Sequence, residues 1–146
     1  MPRGLKILLI GAGVVVFLVI SGLLARFLAV ENVERQDVLT LLQAEAAGDP
    51  AGMLAQLHDC SGSCAAVVRS DAAKLRGTGA VKILAYQSPT SHSIGGRTGP
   101  ARVAWKLGNR LPDVQCVTVR RVGNPVSGIS VTLLRIGPPI PLTNDC

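Results

Sequence analysis

Residues 7–25 read ILLIGAGVVVFLVISGLLA, from Ile7 through Phe17 to Ala25, with no charge in 19 consecutive positions. At 1.5 Å per residue, a helix over this run is about 28 Å long, close to the ~30 Å hydrocarbon core of a bilayer. Phe27 to Val30 add apolar length beyond Arg26, whose long side chain can reach back to the headgroups. The run is longer than the roughly 7–15-residue core of a cleaved signal peptide. Cuts after Ala25 or Ala29 put Leu23 or Phe27 at the −3 position, where a small residue is needed. No cysteine follows closely enough for a lipoprotein signal. The opening LKILLIGAG also looks like a strand entering a dinucleotide-binding turn. Gly11-x-Gly13-x-x-Val16 lacks the third glycine, however, and the following residues are apolar on every side. A wholly buried core helix needs a larger protein around it. An uncleaved membrane anchor is therefore the expectation.

The rest of the composition is read around that anchor. The chain has 146 residues, 48% of them apolar and 16% charged, with a mean hydropathy of +0.40. That length excludes a (β/α)8 barrel and leaves room for one small domain beside the anchor. Arg3 and Lys6 precede the run and favour a cytoplasmic N-terminus. All four cysteines, Cys60, Cys64, Cys116 and Cys146, then fall on the far side, where disulfides persist. Four cysteines allow three connectivities. Ser61-Gly62-Ser63 lets Cys60 and Cys64 meet, which leaves Cys116 for Cys146. A zinc site usually has two close C-x2-C pairs, and only one close pair exists here, at x3 spacing. No metal or other cofactor is expected.

Past the anchor the periodicity is first helical, then alternating. Glu34 to Ala47 lacks Gly and Pro, and Val38, Leu41, Leu42 and Ala46 recur at helical spacing. The anchor helix can run straight into this segment, or Asn32 can cap a fresh start. Gly48 ends it, and Asp49-Pro50 opens a second helix with Met53, Leu54 and Leu57 inward and His58 and Asp59 at its end. Ser63 is the expected cap of a third helix. Val81, Ile83 and Ala85 then alternate with Lys82, Leu84 and Tyr86. A weaker strand is expected at 91–97, a turn at Thr98-Gly99-Pro100, and a strand at 102–107 with Val103, Trp105 and Leu107 inward. Residues 114–122 and 127–136 read as a hairpin about Gly123-Asn124-Pro125. The expectation is an α+β domain: an N-terminal transmembrane helix, then about three helices on a curved antiparallel sheet of four to five strands. The units are a cytoplasmic tip and anchor at 1–30, an extracytoplasmic domain at 31–136, and a Pro-rich tail at 137–146 pinned by Cys146.

Charge divides along the same line. Residues 31–60 carry one base against six acids, and residues 61–146 carry eleven bases against three acids. Arg97, Arg102, Lys106, Arg120, Arg121 and Arg135 fall on strands or their ends and form a candidate basic surface. Anionic lipid or a wall polymer suits such a surface near a membrane. Nucleic acid does not, since aromatics are 3% of the chain and the compartment is wrong.

The stretch LLQAEAAGDPAGMLAQL, Leu41 to Leu57, resembles the opening of nuclear-transport-factor-2-like domains. The order of helices followed by antiparallel strands is similar to that superfamily over residues 34–136. The resemblance implies a cone between helices and sheet. A single anchor followed by such a domain is similar to two bacterial groups. One comprises accessory proteins of mammalian-cell-entry lipid importers, and the other comprises inner-membrane components of type IV secretion. Arg exceeds Lys and Ala, Gly and Val abound, which fits a GC-rich bacterium such as an actinobacterium. The Cys60/Cys64 pair departs from the superfamily and points to a narrower family.

Some relatives in that superfamily are isomerases, whose sites need an ionisable base facing a donor. The parts here are few: His58, His92, Asp113 and Tyr86. Each has an ordinary structural role in the sequence: helix end, loop, turn and strand face. No catalytic residue is assigned. The leading expectation is a non-enzymatic envelope scaffold that meets the bilayer through its anchor and a protein partner or a second copy through its domain. An apolar ligand or lipid in the cone is the alternative, and a small enzyme the third reading.

Overall fold

The computed structural model describes residues 2–89 and 96–146. Helix α1 (Arg3–Ala47) is one unbroken rod of 45 residues. Nothing between Leu23 and Ala47 breaks it, so Asn32 caps nothing and the expected boundary at residue 30 lies mid-helix. At 1.5 Å per residue it is about 67 Å long. Gly48 stops it at φ +70, its N–H returning to the last turn, a conformation that favours glycine. Helix α2 (Pro50–Gln56) follows at once, because Asp49 Oδ1 accepts from the Gly52 N–H at 3.0 Å and Pro50 fits the first turn. Helix α3 (Ser63–Leu75) starts from Gly62; Ser63 is its first residue and not its cap.

The strands β1 (Val81–Gln87), β2 (Arg97–Leu107), β3 (Asp113–Asn124) and β4 (Gly128–Ile136) form an antiparallel meander in chain order. The architecture is α+β as expected, with four strands among the described residues. The expected strand at 91–97 lies outside them except at Gly96 and Arg97, and of these Arg97 opens β2. Thr98-Gly99-Pro100 is strand and not turn: Gly99 pairs with Val119 and Pro100 with Thr118. Among the described residues, the pairing of β1 stops where Gln87 meets Arg102, and residues 97–101 pair only with β3. A proline lacking its N–H is tolerated there.

Side chains of α1, α2 and α3 close over one face of the sheet. Val38, Leu41, Leu42, Met53 and Val68 meet Ala101, Val103, Trp105, Val117, Val119 and Leu133. The centre of the domain is filled by Trp105, at 1% exposure, with Leu41, Leu42 and Met53 around it. The strand edges are guarded. Backbone N–H groups of His58 and Asp59 donate to Leu133 and Leu134 of β4 at 3.0 and 3.1 Å. His58 and Asp59 thus line the β4 edge and do not end α2. On β1, the Arg35 guanidinium donates to the Ile83 carbonyl, and a bulge at Leu84 breaks the regular edge. The tail crosses the other sheet face, where Ile140 bridges to Val114 and the Arg102 guanidinium donates to the carbonyls of Leu142 and Asn144.

Both disulfides form as the spacing led one to expect, Cys60–Cys64 at an S–S distance of 2.01 Å and Cys116–Cys146 at 2.16 Å. The second anchors the tail to β3. The chain-entropy argument assigns roughly 2 kcal/mol to the short loop and roughly 3.7 kcal/mol to the long one.

Candidate functional site

One face of α1 builds both polar centres of the domain. Glu34, Val38, Leu41 and Glu45 follow each other at spacings of four, three and four residues, so they share one stripe. That stripe is buried against the sheet, and both carboxylates are at 0% exposure.

At the end nearer the apolar half of α1, Glu34 is held from two directions. Arg121 Nε donates to Oε2 at 2.5 Å, and the Tyr86 hydroxyl makes a short hydrogen bond to Oε1. Tyr86 reaches it because of the bulge. Ile83 pairs with Trp105 and Ala85 with Ala104, so Leu84 is extra and the alternation flips. The sequence pattern puts Tyr86 opposite Val81 and Ile83; the bulge returns it to their side. Burial, then the Glu34 carboxylate, hold the tyrosine proton far above its ordinary range. Arg121 is 2% exposed, and its Nη2 has no partner among the described residues.

At the far end, Gln115 ties four elements together. Its Oε1 accepts from Trp105 Nε1 at 2.8 Å. Its Nε2 donates to Glu45 Oε1 at 2.8 Å and lies 3.5 Å from Asp71 Oδ2 and 3.4 Å from the Gly137 carbonyl. Burial pushes the Glu45 carboxyl from 4.5 up to about 7, against the Gln115 hydrogen bond that lowers it, and Asp71 and Asp113 add repulsion. Burial raises Asp71 and Asp113 as well. A raised carboxylate can be a general acid; here Glu45 is fully buried and Asp71 nearly so, at 4% exposure. These are braces between helices and sheet.

The expected basic surface is redistributed. Arg121 leaves it for the buried pair with Glu34, because its register position turns it to the core face. Arg102 is bound to the tail. Arg135 leans on Asp59, its Nε 2.9 Å from the backbone oxygen and 3.7 Å from Oδ2. Arg97 and Arg120 stay exposed near one end of the sheet, and Lys106 is half-buried toward the other. Asp113 opens β3 and pairs with Trp105; it is not a turn residue. His58 is exposed, and His92 lies outside the described residues. Among the described residues no group of three His, Cys, Asp or Glu is placed to hold a metal.

The expected anchor residues stand clear of the domain. Ile7 is 72% and Phe17 67% exposed, and Ala25 is exposed too. No residue of α1 before Leu23 is buried or half-buried, although this is its most apolar part. Long and apolar enough to cross a membrane, α1 offers that surface to no part of its own fold. Two open clefts flank its packed half. One of about 620 Å³ lies between Glu31, Tyr86, Arg102 and Asp145, and one of about 500 Å³ lies between Arg35, Leu39 and the β1 edge. No family model, no curated protein and no solved structure matches this chain.

Sequence reasoning missed the buried polar centres. Their signal was on the page: two glutamates occupy the apolar stripe of α1, and a polar residue on such a stripe needs a buried partner. Which partner it finds depends on strand register and on the Leu84 bulge, and no local pattern encodes either.

Proposed function

We propose that this chain is a membrane-anchored accessory or scaffold protein of a bacterial cell-envelope complex, with its N-terminus cytoplasmic and its domain extracytoplasmic. The observation that carries this reading is the unbroken α1, bare over its apolar first half and sunk into the domain core over its second. An apolar helix surface of this length, uncovered by the protein, belongs in lipid. Arg3 and Lys6 support the orientation, and two disulfides support an oxidising compartment for the domain. Three helices leading into an antiparallel meander support the resemblance to nuclear-transport-factor-2-like domains. A scaffold role agrees with buried carboxylates that act as braces, and with a domain centre occupied by Trp105, Leu41 and Met53. A rigid helical connection suits holding a partner at a fixed height above the bilayer.

The test uses the full chain in native membranes. Resistance to carbonate extraction, cleavage of a C-terminal epitope by protease added from outside the membrane, and crosslinked species above monomer mass are the expected results. Extraction by carbonate overturns the anchor, and recovery of free monomer alone overturns the scaffold.

A further inference from the structure

The hairpin joining β3 to β4 does not end in open solvent. Its tip lies against α1, where Leu23, Leu24 and Phe27 face Asn124, Pro125 and Val126 across a cleft of about 470 Å³ with apolar walls. Arg26 Nη1 lies 3.5 Å from the Val126 carbonyl oxygen. We propose that this hairpin tip is a second membrane contact, seated in the headgroup and upper acyl region of the same bilayer that α1 crosses. The proposal rests on the anchor reading.

Depth is the decisive argument. Leu23 is two residues inside the end of the uncharged run at Ala25, and Phe27 is two residues beyond it. At 1.5 Å per residue both lie within about 3 Å of that end. Pro125 and Val126 line the same cleft, and the Val126 carbonyl lies 3.5 Å from Arg26 Nη1, so the tip sits beside that end of the run. The tip suits this place. Val126 is 74% and Val122 52% exposed, an apolar end that water does not favour. The tip is also shaped by its own hydrogen bonds. Asn124 Oδ1 accepts from the N–H groups of Val126 and Ser127 at 2.9 and 2.8 Å, so side-chain and backbone polar groups satisfy one another before meeting lipid. Cations stand behind it. Arg120 is four residues from Asn124 and Arg97 pairs with Arg121, which at about 3.3 Å per residue puts both roughly 10–13 Å from the tip, at the height of phosphate groups. Apolar at the end and cationic one layer back is the order that an interface of acyl chains and anionic headgroups selects. The β2–β3 hairpin, at the other end of β3, carries an exposed Leu111 far from the apolar half of α1.

The wild-type chain has one tryptophan, Trp105, buried eleven residues from Asn124 in the β3 register and outside the reach of lipid. Val126→Trp, Phe17→Trp and Leu111→Trp therefore report depth as emission in excess of the wild-type chain, whose Trp105 signal bromine leaves unchanged. The full-length proteins go into vesicles of phosphatidylcholine and phosphatidylglycerol brominated on upper or on deep acyl carbons. Expected is loss of the Val126→Trp emission with upper-chain bromine, loss of the Phe17→Trp emission with deep bromine, and no loss for Leu111→Trp. Quenching of Phe17→Trp without Val126→Trp overturns the hairpin contact and leaves the anchor standing. Quenching of neither overturns both. If Val126→Trp loses the near-UV signature of the folded core, Val122→Trp on the same hairpin is read instead, with the same outcomes.

Discussion

The first and second halves of α1 belong to one helix but differ in what covers them: the first half is exposed, and the second is packed into the domain. Residues 7–22 are apolar on all sides and exposed along their whole length. Residues 30–46 are amphipathic, with Val30, Glu34, Val38, Leu41, Leu42, Glu45 and Ala46 buried and charges such as Glu31 and Arg35 outside. Bulk hydrophobicity therefore does not say what a helical segment packs against; the distribution of polar residues around it does. The first half carries no charge from Ile7 to Ala25. The second half accepts buried carboxylates because strands of the sheet bring a guanidinium, a phenol and an amide to meet them.

Substitutions that strike one half and spare the other sharpen this contrast. Arg121→Met takes the guanidinium away from the buried Glu34 carboxylate, and a loss of about 3–5 kcal/mol is expected in chemical denaturation of the domain. Membrane retention of that variant is expected to stay unchanged. Removing the Cys116–Cys146 disulfide by Cys116→Ser with Cys146→Ser is expected to cost the domain about 3.7 kcal/mol, again without release from the membrane. Val15→Arg reverses the pattern: about 2.5–3.5 kcal/mol is lost from membrane insertion, read as protein in the soluble fraction, while the thermal midpoint of the domain holds.

The Glu45 centre gives a pH signature confined to the second half. Folding raises this carboxyl from 4.5 to about 7. The folded state keeps a proton that the unfolded chain releases across that window. Stability is therefore greatest below pH 4.5 as far as this group is concerned, and it falls as pH rises toward 7. The shift corresponds to roughly 3 kcal/mol at full effect, and Asp71 beside it shares the titration. Glu45→Gln is expected to flatten the slope of denaturation midpoint against pH between 5 and 7; an unaltered slope would mean that Asp71 or Asp113 carries it. The smallest effect expected is loss of the Cys60–Cys64 bridge, about 2 kcal/mol, which also shows whether the short loop matters to α3.

Much of the fold was legible because its signals are local. Gly48 and Asp49-Pro50 mark a helix end and start that depend on backbone sterics and one side-chain cap. The alternation at Val103, Trp105 and Leu107 marks a core-facing strand, and these three are buried. The cysteine pairing followed from chain proximity at one pair. Thr98-Gly99-Pro100 misled because glycine and proline punctuate turns, yet here β2 outlasts the described pairing with β1 and holds the proline opposite Thr118 of β3. Tyr86 misled because one extra residue, Leu84, reverses every face after it.

By itself the sequence determined the apolar run of α1, the order of helices before strands, the segregation of acids from bases and the paired cysteines. Each is a property of neighbouring residues or of composition, and short-range sterics and the preference of apolar surface for lipid suffice to read it. Only the tertiary structure decided that Glu34 meets Arg121 and Tyr86, that Glu45 meets Gln115, and that the β3–β4 tip returns to the helix at Phe27. The three carboxylate contacts join residues 52, 70 and 87 positions apart. They depend on register and on a bulge, and a one-residue slip in either would send the same side chains to the opposite face.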